Sequence, residues 1–270
     1  MRRPVTFFWM ILPLTVLYGA FAILPLALIL RFSFVGGLAH FREVLTTPLL
    51  LPVAENTVII SLVTTIVALL LATLVAATLW RAGPRLHRLI LAFVLLPFWT
   101  AVLIKNFAWA VLLQDNGVAN RLLQAVGLGP VTLLHNRLAV TIGMVHFVLP
   151  YAIFPIYTSM RGIDPRIERA ARSMGATTPS LIWHVILPLI VPGMAGAALL
   201  VFIVSAGFFI TPVILGAPSD MMISNLIDYY VHELVDFNNA AALAVLVLLV
   251  LTPVIVLQQQ ASKQGHHGFA

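Results

Sequence analysis

The sequence is poor in charged residues and contains no cysteine. Only 9% of its 270 residues are Asp, Glu, Lys or Arg, whereas 61% are hydrophobic. A soluble domain carries about 25% charged residues, so this chain has too little polar surface to fold as a soluble globule. The composition predicts an integral membrane protein. The absence of cysteine excludes disulfides, thiolate zinc sites and a cysteine nucleophile.

Lysine is almost absent as well. The only two are Lys105 and Lys263, and neither stands in the G-x-x-x-x-G-K-[ST] pattern by which P-loops hold nucleotide phosphates. We therefore expect this chain to bind no ATP and no other cofactor. The formal net charge is +6, but the basic residues are spread over short segments, which does not indicate nucleic acid binding.

The motifs of membrane hydrolases are incomplete. His232-Glu233 begins like the H-E-x-x-H helix of zinc proteases, but Asp236 stands where the second histidine is needed. Neither G-x-S-x-G nor a pair of intramembrane aspartates occurs. The neighbouring His266 and His267 lack further ligands for a metal. We therefore expect neither catalysis nor a metal site.

Six apolar runs are long enough to span a bilayer, which takes about 20 residues. The predicted spans are 7–31, 57–79, 89–113, 138–160, 186–215 and 240–257. The first is longer than the apolar region of a signal peptide, so we interpret it as a retained helix. Proline and glycine interrupt the fifth, which predicts a kinked helix. The predicted fold is an all-α polytopic membrane protein with six transmembrane helices in one domain, 1–270.

The basic residues predict the orientation of the spans, because cytoplasmic segments carry the excess of Lys and Arg. With the N-terminus inside, the inner segments hold Arg2, Arg3, Arg81, Arg85, Arg88, Arg161, Arg166, Arg169, Arg172 and Lys263. The outer segments hold Arg31, Arg42, Arg121 and Arg137. Both termini and the polar segment 161–185 are therefore expected in the cytoplasm.

The spans contain no Asp or Glu between their ends. A proton-coupled secondary transporter needs intramembrane carboxylates, so their absence disfavours an ion-coupled carrier, which stays as an alternative. It favours a transport protein whose energy is delivered from outside the membrane.

The longest polar segment, 161–185, contains a short amphipathic helix. Asp164-Pro165 is typical of a helix start, and Gly175 is typical of a helix end. Apolar residues recur between them at helical spacing: Ile167, Ala170, Ala171 and Met174. Such a face is buried either in the groove of a partner protein or among lipid headgroups, and the pattern leaves both open.

Several polar and aromatic residues of the later spans are candidates for lining a transport path. Lys105 either snorkels to the membrane surface or lines the path. His146 is expected to be a buried neutral histidine that bonds a helix carbonyl. Asp228-Tyr229 combines a carboxylate with an aromatic face, the usual means of holding ammonium groups. The tentative path residues are Lys105, Asn106, Trp109, Phe208, Thr211, Asn225, Asp228 and Tyr229. The alternative for the amides and hydroxyls is hydrogen bonding between helices.

The polar segment resembles the EAA loop, E-A-A-x3-G-x9-I-x-L-P, of bacterial ABC importer membrane subunits. The matching residues are Ala170, Ala171, Gly175, Val185, Leu187 and Pro188. Arg169 stands at the family's Glu position, with Glu168 one place earlier. In that family the loop is the coupling helix that docks on the cytoplasmic ATPase. The resemblance therefore implies an ATPase-coupling role for Glu168, Arg169, Ala170, Ala171, Arg172, Gly175 and Ala176.

A second resemblance is to spermidine/putrescine importer permeases, and most closely to the first of their two permeases. It is carried by Pro97-Phe98-Trp99, by residues 103–109, by 115–120 and by 208–212. It implies a type I ABC importer permease in a bacterial inner membrane, with ATP and Mg on a separate ATPase dimer. The implied partners are a second homologous permease and a periplasmic substrate-binding protein. The branch also includes importers of aminoethylphosphonate or opine-like solutes, so these remain alternatives to polyamines.

Overall fold

The computed structural model describes the backbone of residues 4–267 and the side chains of residues 12–256 except 14 and 254. The side chains of Arg2, Arg3 and Lys263, and all side chains of the polar tail from Gln258 with its two histidines, lie outside the described residues. All regular structure within the described residues is helical, as the composition predicts.

Thirteen α-helices follow one another in the described chain. They are α1 Pro4–Ser33, α2 Ala39–Thr46, α3 Leu50–Arg81, α4 Pro84–Trp99, α5 Val102–Leu113, α6 Val118–Ala125, α7 Arg137–Arg161, α8 Pro165–Ser173, α9 Thr178–Leu181, α10 Leu187–Ala206, α11 Ile210–Leu215, α12 Ile223–His232 and α13 Phe237–His267. A π-helical turn, Ile182–Ile186, joins α9 to α10, and a 3₁₀ turn, Pro218–Asp220, precedes α12.

Four helical segments are long and apolar enough to cross a membrane by length and composition. They are Thr15–Ser33, Leu50–Arg81, Arg137–Arg161 and Thr178–Ala206. The last segment of the chain is also apolar, but its described apolar part, Phe237–Pro253, is shorter. The predicted spans 7–31, 57–79 and 138–160 therefore each fall within one helix, α1, α3 and α7.

The predicted span 89–113 is not a single helix. It runs through α4 and α5, and α4 is bent by 101° relative to the segment Val102–Ala125, which begins with α5. Pro97 lies in the last turn of α4 and has no N–H to donate, which weakens that turn. Thr100 is extended, with ψ of 135°, and its N–H bonds only the Pro97 carbonyl. A hydropathy pattern does not register the break because the residues around it are uniformly apolar.

The predicted span 186–215 is also interrupted, although not at its prolines. Pro188 and Pro192 are both accommodated in α10, which ends at Ala206, and α11 begins at Ile210. Two residues of the short helix α11, Thr211 and Leu215, are fully buried. The apolar run thus forms one long helix and one short helix with a backbone break between them.

The described chain divides into two compact units. The smaller unit comprises residues up to Leu50 and from Leu226 to Thr252. Within it, His40 Nδ1 lies 2.9 Å from Asn239 Oδ1, and Asp236 accepts a hydrogen bond of 3.0 Å from the Asn239 N–H. That second bond caps the first turn of α13.

The larger unit, mainly residues 51–225, is built around the packing of α3, α7 and α10. Small residues of α3 form one side of its core: Ala68, Ala72 and Ala76. A Cβ atom at Gly193 of α10 would lie only 2.5 Å from Ser159 Cβ of α7, so glycine alone permits this approach of the two helices. Close approach through small residues is the usual way in which helices associate within a membrane.

Candidate functional site

The first candidate site is α8, whose two ends confirm the start and end predicted from the sequence. Asp164 Oδ1 accepts a hydrogen bond of 2.8 Å from the Arg166 N–H, and Pro165 occupies the first helical position. At the other end Gly175 has φ of +85°, a left-handed conformation. The Ala176 N–H bonds the Ala171 carbonyl at 3.0 Å, which completes a Schellman turn.

The apolar residues of α8 point in two directions. Ala171 is only 6% exposed and lies in the same core cluster as Ile163 and Leu181. Ala171 therefore packs α8 against the core of the same chain. Met174 is 82% exposed and Ile167 is 40% exposed. With the exposed Ala170 they form an outward row at helical spacing, which we call the free stripe.

The charged residues of α8 are only partly paired. Glu168 Oε1 lies 2.9 Å from Arg172 Nη2, one helical turn away, so the carboxylate nearest the family's Glu position is already engaged. Arg166 and Arg169 are exposed and form no ion pair with any residue that the structure describes. Ala176 is partly buried against the core. Among the seven predicted coupling residues, those directed outward are Glu168, Arg169, Ala170, Arg172 and Gly175.

The second candidate site surrounds Lys105 near the start of α5. The Lys105 Nζ atom lies 4.7 Å from the centre of the Phe147 ring on α7. The Phe147 ring contacts the Phe208 ring at 4.6 Å and the Tyr151 ring at 5.9 Å, measured between ring centres. The ammonium group thus lies against an aromatic cluster that includes Phe208, one of the predicted path residues.

Trp109 and His146 form a pair beside this cluster. The Trp109 indole N–H donates a hydrogen bond of 3.0 Å to His146 Nδ1, and the two rings meet edge to face. The expectation that His146 bonds a helix carbonyl is therefore wrong, because the indole is its partner. An Nδ1 atom that accepts a hydrogen bond leaves the proton of the neutral ring on Nε2.

Three of the predicted path residues are buried and bonded within the chain. Asn106 Oδ1 accepts a hydrogen bond of 3.0 Å from Thr211 Oγ1, which ties α5 to α11. Asn225 Nδ2 donates to the Phe209 carbonyl at 3.0 Å, and Ser224 Oγ donates to the Phe208 carbonyl at 3.1 Å. These bonds satisfy the carbonyls freed by the break between α10 and α11. Asn106, Thr211 and Asn225 thus make the hydrogen bonds within the protein that the alternative role requires, although the buried Asn106 Nδ2 atom has no partner among the described residues.

Two acidic residues that follow α11, Asp220 and Asp236, are bonded within the chain. Asp220 is buried and lies 3.3 Å from Arg137 Nε at the start of α7. A second nitrogen of the same guanidinium bonds Asn56 Oδ1, and Asn56 in turn donates to the Ser219 carbonyl at 2.6 Å. This network secures the 3₁₀ turn to α3 and α7. Asp220 is thus a structural residue, as is Asp236 at the cap of α13.

Asp228 and Tyr229 belong to the smaller unit. Asp228 Oδ1 lies 2.7 Å from His232 Nδ1, and the Asp228 side chain is 39% exposed. Tyr229 is partly exposed, whereas the neighbouring Tyr230 is buried, with its hydroxyl 3.3 Å from Thr47 Oγ1. Within the described residues no group of three or more His, Asp or Glu is arranged to hold a metal ion.

The sequence did not identify Phe147 or Ser224 as site residues. Phe147 is one apolar residue among many in its span, and only the packing of α5 on α7 brings its ring to Lys105. Ser224 shows its role only once the break at Phe208 is known. Neither residue carries a local sequence signal that separates it from its neighbours.

Comparison with known proteins agrees with this geometry. The sequence model of the family described as "Binding-protein-dependent transport system inner membrane component" matches residues 68–264. The chain is 33% identical over 211 residues to the spermidine/putrescine transport system permease protein PotB of Haemophilus influenzae, covering 77% of this chain and 74% of that protein. It is 27% identical over 221 residues to PotB of Escherichia coli, covering 81% and 80% respectively.

Among solved structures, a crystal structure of a bacterial ABC transporter involved in the import of the acidic polysaccharide alginate matches with a TM-score of 0.83. The match covers 97% of this chain and 96% of that one at 19% identity, so it indicates a shared fold. The family match, the curated relatives and the fold agree. The chain therefore belongs to the family of binding-protein-dependent transport system inner membrane components and is a multi-pass, non-catalytic permease subunit of an ABC transporter.

Proposed function

We propose that this permease is part of an ATP-driven importer of polyamines such as spermidine and putrescine. The observation that carries the proposal is the similarity over about three-quarters of the chain to permeases named for these two solutes. The chain supplies half of the transport path, and a second homologous permease supplies the other half. The solute arrives on a periplasmic substrate-binding protein, and a dimer of ATPase subunits binds ATP and Mg on the cytoplasmic side.

In this proposal α8 is the element that contacts the ATPase. The free stripe of Ile167, Ala170 and Met174 is exposed apolar surface outside the spans, and such surface is stabilised when a partner covers it. Full burial of an Ile or a Met side chain contributes about 1.5–3 kcal/mol. Because Ala171 is fixed in the core, a push on the free stripe moves α8 together with the end of α7 and the start of α10.

Arginine takes the polar role that glutamate has in the family loop. Glu168 is held by Arg172, whereas Arg169 is exposed and unpaired among the described residues. The matching ATPase surface is therefore expected to present a carboxylate or backbone carbonyls, the partners that a guanidinium binds with paired N–H groups.

On the outer side Asp228 and Tyr229 are proposed to receive the cationic solute. The Asp228 carboxylate remains 39% exposed despite its bond to His232, and Tyr229 offers a partly exposed ring beside it. A carboxylate and an aromatic face together favour an alkylammonium group. Asp220 is excluded from this role because it is buried against Arg137.

The orientation of the spans can be tested by labelling, since the natural chain has no cysteine. We expect Ser219→Cys, in the 3₁₀ turn, to react with a membrane-impermeant maleimide in intact spheroplasts, and Ser173→Cys, at the end of α8, to react only after permeabilisation. Both positions are exposed, so accessibility to reagent on either side is comparable. Labelling of Ser173→Cys in intact spheroplasts would contradict a cytoplasmic coupling loop.

The coupling role of α8 can be tested at Gly175. We expect Gly175→Arg to lower solute-stimulated ATP hydrolysis and uptake by about tenfold or more, the effect of losing about 1.4 kcal/mol of coupling, because the new side chain occupies the docking surface. The matched control is Gly127→Arg after α6. Gly127 has φ of +77° and, like Gly175, has no atom within 4 Å of a new Cβ, so both changes carry the same backbone strain.

Equal losses in the two glycine variants would assign the effect to strain and remove α8 from the coupling role. Detergent-extracted amounts of both variants, compared by size-exclusion chromatography, establish that each is inserted and folded before ATP hydrolysis is compared.

The solute can be identified by uptake competition in cells that lack their own polyamine importers. We expect uptake of labelled putrescine or spermidine that unlabelled polyamines suppress and that stops when ATP is depleted. Suppression by 2-aminoethylphosphonate or an opine but not by polyamines would favour the alternative solutes. Uptake that survives ATP depletion would favour an ion-coupled carrier.

A further inference from the structure

Lys105 lies at a depth where a charge is costly. Its Nζ atom contacts the ring of Phe147. Phe147 lies ten residues after the start of α7 and fourteen residues before its end. At 1.5 Å per residue the ring is about 15 Å from one end of the helix and about 21 Å from the other. The ammonium group therefore lies near mid-membrane and does not reach a headgroup layer by snorkelling.

No carboxylate of this chain neutralises Lys105. The predicted spans contain no Asp or Glu, and Lys105 forms no ion pair with any residue that the structure describes. Its contact is the face of an aromatic ring, which attracts a cation but leaves its charge in place. The nearby His146 offers no free acceptor at Nδ1 because that atom already accepts from Trp109.

A lysine at this depth faces protein or a water-filled cavity, because exposure of the charge to lipid tails is strongly unfavourable. In a permease the water-filled cavity is the transport path. The Lys105 side chain is only partly buried by its own chain, so part of it is open toward that path or toward the second permease.

We propose that Lys105 is an electrostatic barrier that keeps small inorganic cations from crossing the path when no solute is being moved. A fixed positive charge in a narrow aqueous constriction excludes cations in several channel types. At an effective dielectric constant of about 20, a monovalent cation about 8 Å from Nζ is disfavoured by a factor of roughly 30. Phe147 and Phe208 hold the charge in position against one wall.

An importer of cations has particular use for such a barrier. A path that accepts alkylammonium groups also admits potassium and sodium unless something distinguishes them. Free ions cross by thermal energy alone, whereas the solute is delivered by a binding protein and moved by an ATP-driven conformational change. The inference rests on the proposed import function only for the position of Lys105 in the path.

The test is a leak measurement on the whole complex, purified through a tag on this chain and reconstituted in liposomes without solute or ATP. Radioactive rubidium and chloride fluxes are compared for Lys105→Gln, Lys105→Met, Lys105→Arg and the control Arg121→Gln. Arg121 is exposed on α6, so its replacement removes one positive charge away from the aromatic cluster. We expect Gln and Met at position 105 to raise the rubidium flux by about tenfold or more relative to chloride.

The Arg variant and the α6 control are expected to stay at the natural rate. Rubidium flux at the natural rate in Lys105→Gln would overturn the proposal. Equal increases in rubidium and chloride would also overturn it, because they indicate a hole in the packing instead of a lost charge. The leak assay contains no polyamine, so a negative result does not affect the proposal that polyamines are the solute. Conversely, a failure to detect polyamine uptake does not affect the interpretation of the ion leak.

Discussion

Inside a bilayer, every break in a helix frees backbone groups that water cannot satisfy, and the rest of this structure follows from how the chain meets that constraint. At the break between α10 and α11 the Phe208 carbonyl has no helical donor, because Pro212 stands four residues later, and the Phe209 carbonyl accepts a long backbone bond of 3.5 Å from the Val213 N–H. Ser224 and Asn225 donate to these two carbonyls from the segment that follows. A buried hydrogen bond between Asn106 and Thr211 then joins α11 to the half of the broken third span that carries Lys105.

The breaks in the helices also determine what surrounds Lys105. Because α5 begins after the bend near Thr100, Lys105 comes one turn into a new helix that packs on α7. Its ammonium group reaches Phe147, and Phe208 lies against the other side of the same ring. The two interrupted spans thus bring the Lys105 ammonium group into contact with an aromatic cluster. Uninterrupted helices would present only apolar surface there.

The helix α8, which we propose contacts the ATPase, is packed on one side only. Ala171 and Ala176 pack into the core, while Ile167, Ala170 and Met174 remain outside. A helix held on one side and free on the other can transmit a displacement without detaching. The left-handed Gly175 ends α8 sharply enough for the chain to return toward α9 and α10.

The sequence predicted those features whose causes are local. The start and end of α8 follow from Asp164, Pro165 and Gly175, because caps and left-handed turns act within a few residues. The orientation of Ala171 was not predictable, because rotation of a helix about its axis is set by the core beneath it. The contact between Lys105 and Phe147 depends on the spacing of two helices.

The positions of the breaks in the interrupted spans also could not be predicted from the sequence. Hydropathy placed the apolar runs on helices but treated 89–113 as continuous, since a window average does not distinguish a bend from a straight helix. The ion pair between Asp220 and Arg137 could not be predicted either, because the two residues are 83 positions apart in the chain.

Under the proposed function, this permease works only as part of a larger ATP-driven assembly. The most direct measurement is the mass of every chain that co-purifies with it after extraction in a mild detergent. The proposed function predicts a P-loop ATPase and a second permease in stoichiometric amounts with this chain. Recovery of the chain alone from several mild detergents, with transport activity retained, would contradict it.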